Sequence, residues 1–297
     1  AMGDAEATVM LFMKLLEGDK EDVVRQMLKM GSRESYLPNH LQVSDVEGLP
    51  QEPGVYYFHD AKDKVIYVGK ARNLPLEEYN FVKAHSSFPT KVTLPSLAHA
   101  SVLYSPGVSD KVYPDRAVYL HEVLELTAQL VQECIDAGCT YIQMDSPRYT
   151  HLVSEQGQDN FRRMGLDPAK WLSEMIAAEN ELVDRFPNVT WGLHLCRGNG
   201  PRGAYAVSGG YDPIAEQLFG DLRHDRFLLE YDTDRAGSFA PLRFIPPGRI
   251  AVLGLVSSKV PDVETPEYLK RRIGEAARHL PLEQLAISPQ CGFSSNP

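Results

Sequence analysis

Within Trp191-Gly-Leu-His-Leu-Cys-Arg-Gly198, His194 and Cys196 stand two residues apart at the end of an apolar run, Val189 to Leu195. In an extended segment residues i and i+2 share a face. An imidazole and a thiolate placed that way supply half of a tetrahedral zinc site. Two further segments have the same format of a short apolar run ending in a metal-capable side chain. Glu230 closes Phe227-Leu-Leu, and Cys291 follows Leu-Ala-Ile-Ser-Pro-Gln before Gly292. The pair also has a plainer reading, a buried histidine beside a buried cysteine, because cysteine is among the most buried residue types.

Such side chains need strands to aim them, and the chain offers strands in a regular alternation. The pattern predicts strands at 90–94, 141–145, 189–195, 226–231, 249–256 and 285–288. It predicts helices at 76–84, 115–137, 168–185, 211–219 and 266–279, lying between them. Short β-branched or apolar runs alternating with amphipathic helices imply parallel β/α units. Most of the chemically capable residues sit at or just past the C-terminal ends of these runs, which is where a (β/α)8 barrel carries its active site. The expected class is therefore α/β, a TIM-type barrel that is irregular or incomplete near its N-terminus, because two opening strands are not found in residues 1–65.

The N-terminal part reads differently. Residues 4–31 repeat apolar positions at helical spacing, and residues 32–53 form an irregular connector. Gly54–Phe58 and Val65–Val68 flank a polar turn and predict a β-hairpin that decorates the barrel. The expected domains are 1–65 (helices, connector and hairpin) and 66–297 (barrel).

Composition limits the partners. The chain of 297 residues has 43% hydrophobic and 24% charged residues, as an ordinary globular protein does. Its net charge of −10, from 30 basic and 40 acidic side chains, argues against non-specific nucleic-acid binding. No apolar run approaches the roughly 20 residues of a membrane span, and no secretory signal is read at the start. Four cysteines in a chain this long make no disulfide framework, so a reducing cytoplasmic setting is expected. Cys134 and Cys139 read as core residues, and a homo-oligomer stays open.

His-Leu-Cys-Arg-Gly-Asn, Phe-Leu-Leu-Glu-Tyr-Asp-Thr-Asp-Arg-Ala-Gly-Ser-Phe, Val-Leu-Gly-Leu-Val-Ser-Ser-Lys and Pro-Leu-Glu-Gln-Leu-Ala-Ile-Ser-Pro-Gln-Cys-Gly-Phe follow one another in that order. Together they resemble the catalytic barrel of the cobalamin-independent methionine synthases and of their shorter single-domain relatives. Tyr-Ile-Gln-Met-Asp-Ser-Pro-Arg-Tyr-Thr is similar to that family's strand-end aspartate motif. The resemblance runs from about Ile66 to the C-terminus. It implies zinc held by His194, Cys196, Glu230 and Cys291, and transfer of a methyl group from a donor such as a methyl-folate to a small thiol such as homocysteine. Two thiolates, one carboxylate and a neutral imidazole around zinc leave a site charge of about −1 and keep a bound sulfur nucleophilic. Glu230, the hardest of the four, is the ligand expected to yield.

The same resemblance gives Asp145 the amino group of homocysteine to hold, where the alternative is an aspartate capping the next turn. This chain has Asp-Ser-Pro where the family has Asp-Glu-Pro, and Lys259 where the methionine synthases carry a histidine. Lys259 is expected to pair with an anionic group of the substrate, and Arg197, Arg202 and Arg235 lie on neighbouring loops that could do likewise. The plainer reading of each is a solvated charge or an internal ion-pair partner. Other readings are a thiol alkyltransferase of the epoxyalkane–coenzyme M type and a non-catalytic barrel clasped by zinc. Residues 49–74 also resemble the start of an excision-repair GIY-YIG nuclease domain, but the arginine expected after Asn73-Leu74 is absent. Tyr67 is then a packing residue.

Overall fold

The computed structural model describes residues 55–59, 65–70, 74–198, 204–260 and 262–292. The expected helices at 4–31, the connector at 32–53 and Arg202 lie outside the described residues. By its contacts the chain divides into a unit of residues 1–72 with Pro297 and a unit over Asn73–Asn296. The division lies beyond residue 65 because Val65–Lys70 pairs within the first unit. There, β1 (Val55–His59) and β2 (Val65–Lys70) form an antiparallel hairpin with a register shift at Phe58/His59, as the two apolar runs predict.

The second unit carries α1 (Leu74–His85), β3 (Val92–Pro95), α2 (Leu97–Ser101), α3 (Arg116–Asp136) and β4 (Tyr141–Asp145). It continues with α4 (Glu155–Arg163), α5 (Pro168–Arg185), β5 (Thr190–Leu195), α6 (Asp212–Asp221) and β6 (Arg226–Glu230). It ends with β7 (Ile250–Val256), α7 (Pro266–Ala276) and β8 (Leu285–Pro289). The six strands form one parallel sheet in chain order, β3-β4-β5-β6-β7-β8. This is the barrel-type α/β architecture that the alternation predicts. Among the described residues no helix is long and apolar enough to cross a membrane.

Local chemistry explains the helix starts. Asp115, Asp167 and Thr265 each accept a hydrogen bond from the backbone three residues on, and Pro168 and Pro266 occupy first-turn positions where no N–H is needed. Helices α2 and α4 are not read from the sequence. The first is too short for a period, and the second, Glu-Gln-Gly-Gln-Asp-Asn-Phe-Arg-Arg, has almost no apolar face. Ser96 and Ser154 cap them.

The strands alternate cleanly. Leu94, Ile142, Met144, Trp191, Leu193, Leu195, Phe227, Leu229, Leu253 and Leu255 all turn to the helix layer and are buried. The registers Ile142↔Trp191, Leu193↔Phe227 and Leu229↔Leu253 bring them into continuous rows. The opposite, lumenal face then falls to Tyr141, Gln143 and Asp145 on β4, His194 on β5, and Arg226, Leu228 and Glu230 on β6. Cys134 and Cys139 lie in the core, as expected.

Candidate metal centre

Parallel pairing puts the C-terminal ends of β4, β5 and β6 side by side, with Asp145 opposite His194. Cys196 lies just past β5, Glu230 ends β6, and Cys291 lies just past β8. One ligand atom from each of His194, Cys196, Glu230 and Cys291 can be chosen so that all four lie within 4.8 Å of one another. The two sulfurs are 3.9 Å apart, and His194 Nε2 is 3.9 Å from Glu230 Oε1. Gly254 makes part of this convergence possible. A Cβ there would lie 2.7 Å from Gln290 Cα and 2.9 Å from the Leu229 carbonyl oxygen, so only glycine lets the end of β8 come this close to β7.

Each candidate ligand is held by a second set of contacts. The Asp145 carboxylate lies 2.6 Å from His194 Nδ1. A carboxylate on one ring nitrogen fixes the tautomer and turns the other nitrogen toward a metal. That other nitrogen, Nε2, is buried and has no hydrogen-bond partner among the described residues. Burial works to lower the His194 pKa, but the Asp145 hydrogen bond and the neighbouring Asp145, Cys291 and Glu230 groups outweigh it and leave the value raised.

Glu230 is fully buried. Its Oε1 accepts the Arg197 N–H at 2.8 Å and its Oε2 accepts from Arg235 at 2.7 Å. The Tyr211 hydroxyl accepts the Glu230 N–H at 3.0 Å and so fixes the strand end. Arg235 also binds Asp232 Oδ1 at 2.9 Å, and Asp232 Oδ2 accepts from Ser257 at 2.7 Å. The Cys196 carbonyl accepts from Thr150, and its sulfur accepts from the Gly198 N–H. The Cys196 S–H···S contact to Cys291 raises Cys196 and lowers Cys291 to about 6, with His194 also favouring the Cys291 thiolate. The pair therefore gives up its first proton readily and shares the second.

Two soft sulfurs, one hard oxygen and an unsatisfied imidazole nitrogen fit a zinc ion. His194 Nε2 lies among the two sulfurs and the Glu230 carboxylate, and a metal ion there would supply the partner that burial otherwise denies it.

The cationic residues fall elsewhere than expected for substrate contacts. Arg197 is fully buried with its guanidinium 4.4 Å over the Tyr211 ring, so its backbone rather than its charge serves the site. The Arg235 side chain is only 6% exposed and is paired with Glu230 and Asp232, which makes it an internal ion-pair partner. Lys259 Nζ donates to the Gly198 carbonyl at 2.9 Å and so ties the loop after β7 to the loop after β5. The sequence reading missed Tyr211, Asp232, Ser257 and Thr150. Only Asp232, two residues past Glu230 in Glu-Tyr-Asp, carries a spacing that could have pointed to it.

Comparison with known proteins adds two results. The profile of the UvrC-like GIY-YIG domain matches residues 52–96, over the hairpin, α1 and β3. The Bacillus subtilis protein YxjH is 37% identical over 248 residues, covering 80% of this chain and 65% of its own length. YxjG of the same organism is 34% identical over 261 residues, covering 84% of this chain and 68% of YxjG. The chain thus spans about two thirds of the length of these relatives. A Listeria monocytogenes structure, provisionally assigned as a vitamin-B12-independent methionine synthase, shares 30% identity with a TM-score of 0.56, covering 74% of this chain and 63% of that one. With its strand-end motifs, its parallel sheet and these relatives, the chain belongs to the vitamin-B12-independent methionine synthase family.

Proposed function

We propose that this protein transfers a methyl or other alkyl group to a small thiol at a zinc ion held by His194, Cys196, Glu230 and Cys291. The observation that carries the reading is the buried, unpartnered His194 Nε2 facing two sulfurs and a carboxylate. Zinc bound there would keep a thiol substrate deprotonated and nucleophilic at neutral pH. The chain's own groups do the rest. Asp145 holds His194 in the ligating tautomer, and its carboxyl group, which is partly exposed at the rim, is placed to take an amino group of an amino-acid thiol. Arg235 and the Arg197 N–H already hold both oxygens of Glu230. They give that carboxylate a resting place if it yields to an incoming sulfur. A methyl-folate is the donor that the family resemblance suggests.

The test is metal content and thiol calorimetry on the purified protein. About one zinc per chain, with homocysteine binding accompanied by proton release, is the expected result. Cys291→Ser should abolish zinc and thiol binding together. Full zinc retention by this variant would overturn the ligand assignment, and zinc without any thiol binding would leave a structural clasp.

A further inference from the structure

The lumenal side of the sheet contains a feature that the metal centre does not use. A (β/α) barrel normally fills its interior with branched apolar side chains. Here Lys91, just before β3, and Arg226, at the start of β6, both lie against the Tyr141 ring of β4, at 5.4 and 4.6 Å from its centroid. β5 runs between β4 and β6, and Gly192 lets the ring reach across it. A Cβ at Gly192 would lie 3.1 Å from Tyr141 Cε2 and Oη.

Among the described residues neither cation has a carboxylate within ion-pair distance, although the chain has a net charge of −10. Lys91 donates instead to Gln143 Oε1 at 2.5 Å. Burial of its ammonium and the nearby Arg226 charge lower its pKa. Two like charges brought together without a counterion are unfavourable unless an anion joins them.

A cavity of about 200 Å³ runs from Lys91 to the metal centre. Lys91, Gln143, Leu228, His194, Gln290 and Cys291 are among the residues that line it, Leu228 level with His194 and Gln290 beside Cys291. Gln290 is 2% exposed, and its Nε2, a donor, has no partner among the described residues. Its Oε1 is occupied by Ser258 at 2.6 Å. Gln143 lies two residues below Asp145 on one face of β4, which places the ammonium about 7 Å below the level of His194.

We propose that Lys91, with the Arg226 charge beside it, forms an anion seat that receives the acidic end of the thiol substrate whose sulfur meets the metal centre, in a cavity that the Gln290 amide also lines. The substrate class is a short thiol carrying a carboxylate or sulfonate a few bonds from its sulfur. The sulfur end of this assignment rests on the proposed function, and the anion end does not.

Calorimetry on zinc-loaded protein tests it with three probes: 2-mercaptoethanesulfonate, 2-mercaptoethanol and ethanesulfonate. The sulfonate thiol should bind about tenfold more tightly than the neutral one, as loss of a charge-assisted hydrogen bond implies. Ethanesulfonate should compete with it. Lys91→Met, just before β3, should close the gap and weaken ethanesulfonate while leaving zinc content and 2-mercaptoethanol binding unchanged, and Lys91→Arg should restore the gap. A gap that survives in both Lys91→Met and Arg226→Met overturns the seat. Ethanesulfonate binding that does not compete with the sulfonate thiol also overturns it, because a separate anion then occupies the lumen. If neither thiol binds but ethanesulfonate still weakens in Lys91→Met, the seat stands and the transferase reading fails.

Discussion

The ends of strands β6 and β8 each carry one candidate ligand of the same centre, yet they are held in opposite ways. Phe227, Leu229 and Glu230 of β6 are almost wholly buried, with a neighbouring strand on each side. β8 is the last strand of the sheet, and Ile287 at its middle is 46% exposed. What fixes β8 is local. The Gln290 N–H donates to the Val256 carbonyl at 2.8 Å, the Gln290 side chain holds Ser258, and Gly254 permits the close approach. The carboxylate side of the centre is thus set by core packing. The Cys291 side is set by a few contacts, and a bound ion would complete them.

Mutation at equivalent apolar positions should show this difference most strongly. Phe227→Ala should cost about 3–5 kcal/mol in chemical denaturation, while Ile287→Ala should stay within about 0.5 kcal/mol. Equal losses would mean that β8 is packed as tightly as β6, and the contrast would fall.

Acid should act on the β6 side next. His224, in the turn leading into β6, is fully buried edge-to-face against Trp191 at 6.2 Å, and neither ring nitrogen has a partner among the described residues. Burial, then the Arg249 charge, lowers its pKa from 6.5 to about 3. Between those values the unfolded chain takes up a proton that the folded chain refuses. Stability therefore falls as pH drops from about 6.5 toward about 3, by an amount on the order of a few kcal/mol. His224→Phe should flatten that slope in pH-dependent thermal melts. An unchanged slope would assign the acid sensitivity to other groups.

A smaller effect tests the buried side of the centre directly. Asp145→Asn should weaken zinc by about 10–100-fold, because the His194 tautomer is no longer held. Chelator competition reads this, and an unaltered affinity would show that the Asp145–His194 contact does not orient the ring.

Much of this was legible residue by residue. The β4 run Tyr141–Asp145 and the helix Pro168–Arg185 are predicted to the residue, because alternation, an Asp cap and a first-turn proline are local signals. Helix α4 was not legible, since its polar sequence has no apolar period and only the Ser154 cap marks it. Among the site residues, the His194–Cys196 spacing announced itself, and Glu230 and Cys291 followed from their strand-end format. The fates of Arg197 and Arg235 did not follow, because a loop arginine reads the same in sequence whether it meets solvent, a ring or a carboxylate.

The order of β and α segments, the face each strand shows and the four metal-capable side chains were therefore determined by the sequence alone, through periodicities of a few residues. Only the tertiary structure decided which of those side chains meet. It turned Asp145 onto His194, committed Arg235 to Glu230, and brought Lys91 and Arg226 to a single ring across Gly192. The physical reason is that strand register and the close approaches at Gly192 and Gly254 are set by packing between segments far apart in the chain, which no local spacing encodes.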